Sequence, residues 1–191
     1  MGVLSNRAII EALEDGRLII DPHPQPAPGE QGTPYDTISV DLRLNREISV
    51  PKSGLQVTFD VQGAGLAKTL DTLYERTEIS EAGWTLRPNQ MILGNTIERV
   101  GLPLVEGGLA ARIEGRSSFA RTGLLVHFTA PTIHPGFEGH ITLEIINLGA
   151  VPITLRPNLP VCQLIVETVE GDPIRADSQF QGQGKASGAS R

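Results

Sequence analysis

TISVDLRL, residues 37–44, alternates Ile38, Val40, Leu42 and Leu44 with Ser39, Asp41 and Arg43. A period of two sends one row of side chains into a core and the other away from it, so the stretch reads as a half-buried β-strand. The signature recurs along the chain. REISV (46–50) and LQVTFDV (55–61) resemble two further short strands. GWTLRPNQMILGNTIERVGLP (83–103) reads as strand, turn, strand, and PITLRPNLPVCQLIVETVEG (152–171) repeats the pattern. Both turns place proline second and asparagine third. The shared LRPN fits one turn chemistry used twice better than a weak internal duplication. GGLAARIEG (107–115), LLVHFT (124–129) and HITLEIINLG (140–149) complete the strand set.

Helices are few. SNRAIIEALEDGRL (5–18) is the best, with Ser5 as its cap, Ile9, Ile10 and Leu13 as one stripe, and Gly16 as its stop. AGLAKTLDTLYER (64–76) reads as a brief helix or a loop excursion, and GRSSFARTG (115–123) as one or two helical turns. DPHPQPAPGEQGTP (21–34) is a loop, because its alternate prolines lack backbone donors. The 21 glycines and 14 prolines fall in short clusters, which suits many strands and turns. Near-absence of crossover helices argues against a doubly wound sheet. The expected fold is mainly β, a barrel or jelly roll with an N-terminal helix and a short helical turn at 115–123.

The chain has 191 residues, the size of one domain. Residues 1–176 form the expected domain. The polar, glycine-rich tail 177–191 is either a frayed end or a lid that orders on a ligand. Net charge is −6 with no Lys/Arg block, a poor basis for non-specific nucleic-acid binding. The single cysteine, Cys162, excludes an internal disulfide, and its apolar surroundings predict a buried thiol. No CxxC, HExxH or histidine cluster offers a zinc ligand set. No apolar run approaches 18 residues and no basic-then-apolar leader is present, so no membrane partner and a cytoplasmic location are expected.

Chemistry concentrates in two places. In HITLEIIN, Ile141, Leu143 and Ile145 point one way, and His140, Thr142 and Glu144 the other. On an open face Glu144 is unremarkable. In a cleft, burial would raise its pKa toward the working pH and suit it to proton transfer. EGRSSFARTG (114–123) holds Glu114, Arg116, Ser117, Ser118, Arg121 and Thr122, a kit for clamping phosphate or the edge of a polar ring, or else a solvated surface turn. Gly115 and Gly123 would let backbone approach a ligand. Thr129, Ala130 and His134 lie between these segments. Trp84 and Phe137 read as packing groups, Asp41 carries no role alone, and Asn147 is either polar lining or a strand-end hydrogen-bonding group.

These pieces resemble the dCTP deaminase family, of the superfamily that holds the trimeric dUTPases. SVDLRL (39–44), LRPNQMILGNTIERVGLP (86–103), GRSSFARTGLLVHFTA (115–130), HPGFEGHITLEIIN (134–147), LRPNLPVCQL (155–164) and FQGQG (180–184) follow the family's order. The resemblance implies a mainly β fold, a distorted jelly-roll-like β barrel of the dUTPase type with an N-terminal helix and a short helical turn near the site, and a homotrimer with sites shared between subunits. It implies hydrolysis of a deoxycytidine nucleotide, dCTP to dUTP and ammonia, with no zinc and with Mg²⁺ carried by the triphosphate. Glu144 would be the general base, the Ala130 carbonyl would hold the water, and Ser117 and Arg121 would orient base and glutamate, Arg121 lowering the Glu144 pKa. Arg116, Ser117 and Ser118 would meet the phosphates. Thr129, His134, Thr142, Leu143, Gln179 and Gln183 would complete the nucleotide site. The sequence departs from the family at His134, where an aspartate is usual, and at Gln179 and Phe180, where lysine and tyrosine are usual. A shorter nucleotide, a dUTPase, a bifunctional deaminase–dUTPase and a non-catalytic nucleotide binder therefore stay open.

Overall fold

A computed structural model describes residues 2–58, 71–171 and 173–174. The first helix, α1 (Asn6–Glu14), is capped by the Ser5 side chain accepting from the Ala8 N–H. It buries Ile9 and Ala12, while Gly16 follows at φ 76°. Eleven strands follow: β1 (Ile19–Asp21), β2 (Val40–Pro51), β3 (Tyr74–Glu78), β4 (Trp84–Leu86), β5 (Met91–Gly101), β6 (Leu109–Gly115), β7 (Leu124–Val126), β8 (Thr132–Ile133), β9 (Glu138–Asn147), β10 (Ile153–Leu155) and β11 (Pro160–Thr168). A one-turn helix, α2 (Ser117–Ala120), sits between β6 and β7.

Nine strands form one curled antiparallel sheet in the order β7-β9-β5-β2-β11-β6-β8, with β1 on β5 and β3 on β2. This is the mainly β, jelly-roll-like fold expected. Val40, Leu42 and Leu44 of β2 are fully buried, as the alternation requires, while Ile38 lies before the strand and is exposed. β9 buries Ile141, Leu143 and Ile145 and turns His140, Thr142 and Glu144 to the other side. Cys162 is fully buried in the core, and burial pushes its thiol far up. Native protein is therefore expected to resist thiol-specific alkylation, with one equivalent reacting only in denaturant. Fast labelling of the folded chain would contradict the packing.

Several expectations change. The VDLRL part of TISVDLRL and REISV are one strand, since β2 runs on through a register shift between Leu44 and Ile48 and needs no turn between them. Leu55–Thr58 is not strand: the chain turns at Gly54 (φ 74°), β3 takes the β2 edge, and Val57 is exposed. Residues 59–61 lie outside the described residues, as does most of 64–76, whose end supplies β3. β1, β3 and β8 were not legible as strands, because all are short or polar and owe their state to a partner. The strands before the two LRPN turns pair with each other, Leu86 opposite Ile153 and Trp84 opposite Leu155. Asn89 and Asn158 take φ 60° and 62° at the third turn position, where asparagine tolerates the left-handed region.

Among the described residues no helix is long and apolar enough to cross a membrane. Asn147 proves to be a strand-end anchor. Its buried amide donates to the carbonyls of Leu86 (3.0 Å) and Val151 (2.9 Å), and its oxygen accepts from the Gly149 N–H (2.8 Å). Trp84 and Phe137 pack against the core as expected.

Candidate active site

Glu144 is held by β9, where it lies opposite Leu93 of the adjacent strand β5. Its neighbours Leu143 and Ile145 are fully buried, so the carboxylate projects from a rigid strand. The side chain is 27% exposed and its Oε2 lies 3.0 Å from Nδ1 of His127. His127 follows β7 directly, at φ 56°, and its backbone N–H donates to the Glu144 carbonyl at 2.8 Å. Its Nε2 is 2.9 Å from the Ala130 carbonyl oxygen. One imidazole thus links the expected base to the expected water-holding carbonyl.

Burial pushes the Glu144 carboxyl up, but the His127 contact outweighs it and leaves the group below its ordinary range. This corrects one expectation: the pKa is lowered rather than raised, and within the protomer the neighbour that lowers it is His127. A carboxyl with a lowered folded value is ionised, and stabilising, above its unfolded value; that contribution is lost as pH falls through the lower folded value. The acid limb of the rate should accordingly lie below pH 4.5, the carboxyl's reference value. A limb near pH 6, read from a kcat/KM profile, would show that another group governs the base.

Arg116 occupies the N-cap position of α2 and is tied down: its guanidinium pairs with Asp41 of β2 and lies 5.8 Å from the centre of the Phe119 ring. Gln163 of β11 donates to Asp41 (3.2 Å) and to Ser39 (3.2 Å). Burial raises the Asp41 carboxyl despite the adjacent Arg116. The residue that sequence left without a role is the arginine's anchor. Ser117, Ser118 and Arg121 are exposed, and the Arg121 N–H reaches the Ser117 carbonyl at 3.4 Å, which stacks the two over one turn. Among the described residues their side chains make no hydrogen bond or ion pair, so the protomer does not join them to Glu144.

Thr129, Ala130 and His134 are exposed, and Thr142 is half-buried beside Glu144. Leu143 is wholly within the core, so only its backbone can meet a nucleotide. Gln179, Gln183 and the 177–191 tail lie outside the described residues.

The sequence matches the family described as "DCD: dCTP deaminase-like" over residues 3–169. The chain belongs to the dCTP deaminase-like family. It is 39% identical over 170 residues to "dCTP deaminase, dUMP-forming" of Methanobrevibacter smithii, covering 88% of this chain and 81% of that one. It is 41% identical over 167 residues to a protein of the same name from Dictyoglomus thermophilum (85% and 78% covered). It is 37% identical over 169 residues to "dCTP deaminase" of Rhodospirillum rubrum (87% and 82% covered). The crystal structure of 2'-deoxycytidine 5'-triphosphate deaminase from Agrobacterium tumefaciens shares the fold, with a TM-score of 0.63 at 20% identity. It aligns with 86% of this chain, which spans about half (46%) of that one.

Within this dCTP deaminase-like chain, sequence reading found the strand that carries Glu144 and the α2 segment. It missed His127, whose only signal was a polar residue closing the LLV strand. It also missed the Asp41 and Gln163 contacts, which join β2, β11 and α2.

Proposed function

We propose that the protein hydrolyses dCTP to dUMP, ammonia and pyrophosphate, deaminating the base and cleaving the triphosphate. The observation that carries deamination is the Glu144 carboxylate, half-buried on a rigid strand and held ionised by a neighbouring imidazole. Water gives a proton to Glu144 as its oxygen bonds to C4, the C4–N3 electron pair moves to N3, and N3 takes that proton. The C4 hydroxyl proton then passes through Glu144 to the amino group, the C4–N4 bond breaks, and ammonia leaves. A second water cleaves the α–β phosphate link. Support for the dUMP product comes from the relatives at 39% and 41% identity that bear the name "dUMP-forming". Deamination ending at dUTP, the product first expected, is the second reading. It is favoured by the exposed His134, an imidazole at the position where aspartate was expected, which lacks a carboxylate's charge.

Ser117, Ser118 and Arg121 would reach the nucleotide from a neighbouring subunit of a trimer, which suits their exposure and their lack of side-chain partners among the described residues. Arg116, oriented by Asp41, would present its remaining donors to the phosphates. Among the described residues no group of three or more His, Cys, Asp or Glu converges to hold a metal. Mg²⁺ in this reading is therefore bound chiefly by the phosphates.

The test is a panel of dCTP, dUTP, dCMP and deoxycytidine, scored for ammonia and pyrophosphate. From dCTP the two products should appear in equal amounts without accumulating dUTP. Ammonia without pyrophosphate would install the second reading, and no ammonia from any cytosine compound would remove both.

A further inference from the structure

Glu144 stands between two unlike rows of side chains on the outward face of the sheet. On one side the row is polar, with Thr142 opposite Asn95. On the other it is apolar: Leu125 of β7 pairs with Ile146, and Ile146 with Met91 of β5, all three half-buried. Across β2, Ser49 pairs with Leu93 on one side and with Arg76 of β3 on the other. The same register carries the apolar row across Pro51 to its partner Tyr74. Paired residues point to one side of a sheet, so half-buried Tyr74 ends the row that borders Glu144. Burial first, and then the Glu144 charge, raise the Tyr74 phenol. The phenol therefore stays neutral and lies within the field of that carboxylate.

Cytosine is two-sided in the same way. From C4, one edge runs through N3 to O2, both hydrogen-bond acceptors, and the other through C5 to C6, which carry only hydrogen. Glu144 Oε2 is closed to solvent beside His127, 3.0 Å away, so Oε1 is the oxygen open to water and to the amino group. With C4 at Oε1, one orientation matches both rows. N3 and O2 face Thr142 and Asn95, while C5 and C6 face Ile146, Met91 and Tyr74. The reverse would press unpaired acceptors against apolar side chains, at a desolvation cost. We propose that Tyr74 is a specificity-determining residue whose ring closes the pocket at the C5 edge of the cytosine and excludes substituents there. This rests on the reading that Glu144 meets C4.

The full-length protein is assayed for ammonia release from dCTP and from its 5-methyl derivative. The unmodified protein should favour dCTP in kcat/KM by about 10–200-fold, the range one surplus carbon produces in a close-fitting apolar pocket. Tyr74→Ala should narrow that preference to within about fivefold by accepting the methylated nucleotide, while Tyr74→Phe, which keeps the ring, should preserve it. Tyr74 opens β3, which among the described residues rests on β2 alone, so truncation should spare the core. A changed ratio between two substrates on one preparation is also beyond what partial unfolding produces. Equal use of both substrates by the unmodified protein overturns the proposal, as does an unchanged preference in Tyr74→Ala. Contact is read separately by NMR of ring-labelled tyrosine in Glu144→Gln. The chain has two tyrosines. Saturating dCTP should shift the Tyr74 signals and leave those of Tyr35, buried with its hydroxyl on the Pro24 carbonyl, in place. Unmoved Tyr74 signals overturn the proposal. A protein that releases no ammonia from dCTP sinks the functional reading, whereas a Tyr74 shift in that case still upholds the contact.

Discussion

Glu144→Gln should release ammonia from dCTP at no more than about one-hundredth to one-ten-thousandth of the unmodified rate, the range that positioned proton transfer contributes. Glutamine has the same length and can still accept a hydrogen bond through its oxygen. It lacks the basic lone pair that takes the proton of attacking water. β9 should survive the exchange, since its hold on the sheet comes from Ile141, Leu143 and Ile145, all buried on the opposite face. Nucleotide affinity should therefore change little, and the loss should fall on kcat. Pyrophosphate release from dUTP should persist, because that step attacks phosphorus and needs no proton shuttle at C4. Measuring both products from the variant separates the reactions. Ammonia release within tenfold of the unmodified protein would remove Glu144 as the base.

The second large effect is expected on stability, at a backbone crossing beneath α2. Gly123 has φ +88°, and a Cβ there would lie 2.3 Å from the Gly149 nitrogen. A Cβ on Gly149 would lie 2.1 Å from the Thr122 carbonyl oxygen. Both clashes are with backbone, which no rotamer change relieves. The Leu148 N–H also donates to the Gly123 carbonyl at 2.8 Å, and Asn147 holds Gly149 from the other side. Gly123→Ala or Gly149→Ala should cost about 3 kcal/mol or more, combining overpacking with backbone strain. For a chain of this size that is a fall of roughly 6–12 °C in Tm. Gly115 supplies the contrast, because nothing lies within 4 Å of a Cβ placed there. Gly115→Ala should melt like the unmodified protein, so any loss of activity would reflect the ligand rather than the fold. Equal melting of all three variants would contradict the crossing. Gly123, expected to make room for a ligand, makes room for Gly149.

The facing of side chains was legible in the residues alone. The alternation in 40–44 and 140–147 sorted core from surface correctly, and the Ser5 cap, the LRPN turns and the buried Cys162 followed from local chemistry. Periodicity and turn preference are properties of neighbouring residues, so neighbouring residues suffice to reveal them. Which elements meet became visible in the folded chain. It joined 40–44 to 46–50 in one strand, gave β1, β3 and β8 their state by pairing, and set β4 against β10. It also brought Asp41 to Arg116 across 75 residues, and His127 to Glu144. Such contacts depend on strand order and register, which no local pattern encodes. The proton state of the candidate base, set by a residue on another strand's end, therefore became visible only in the folded chain.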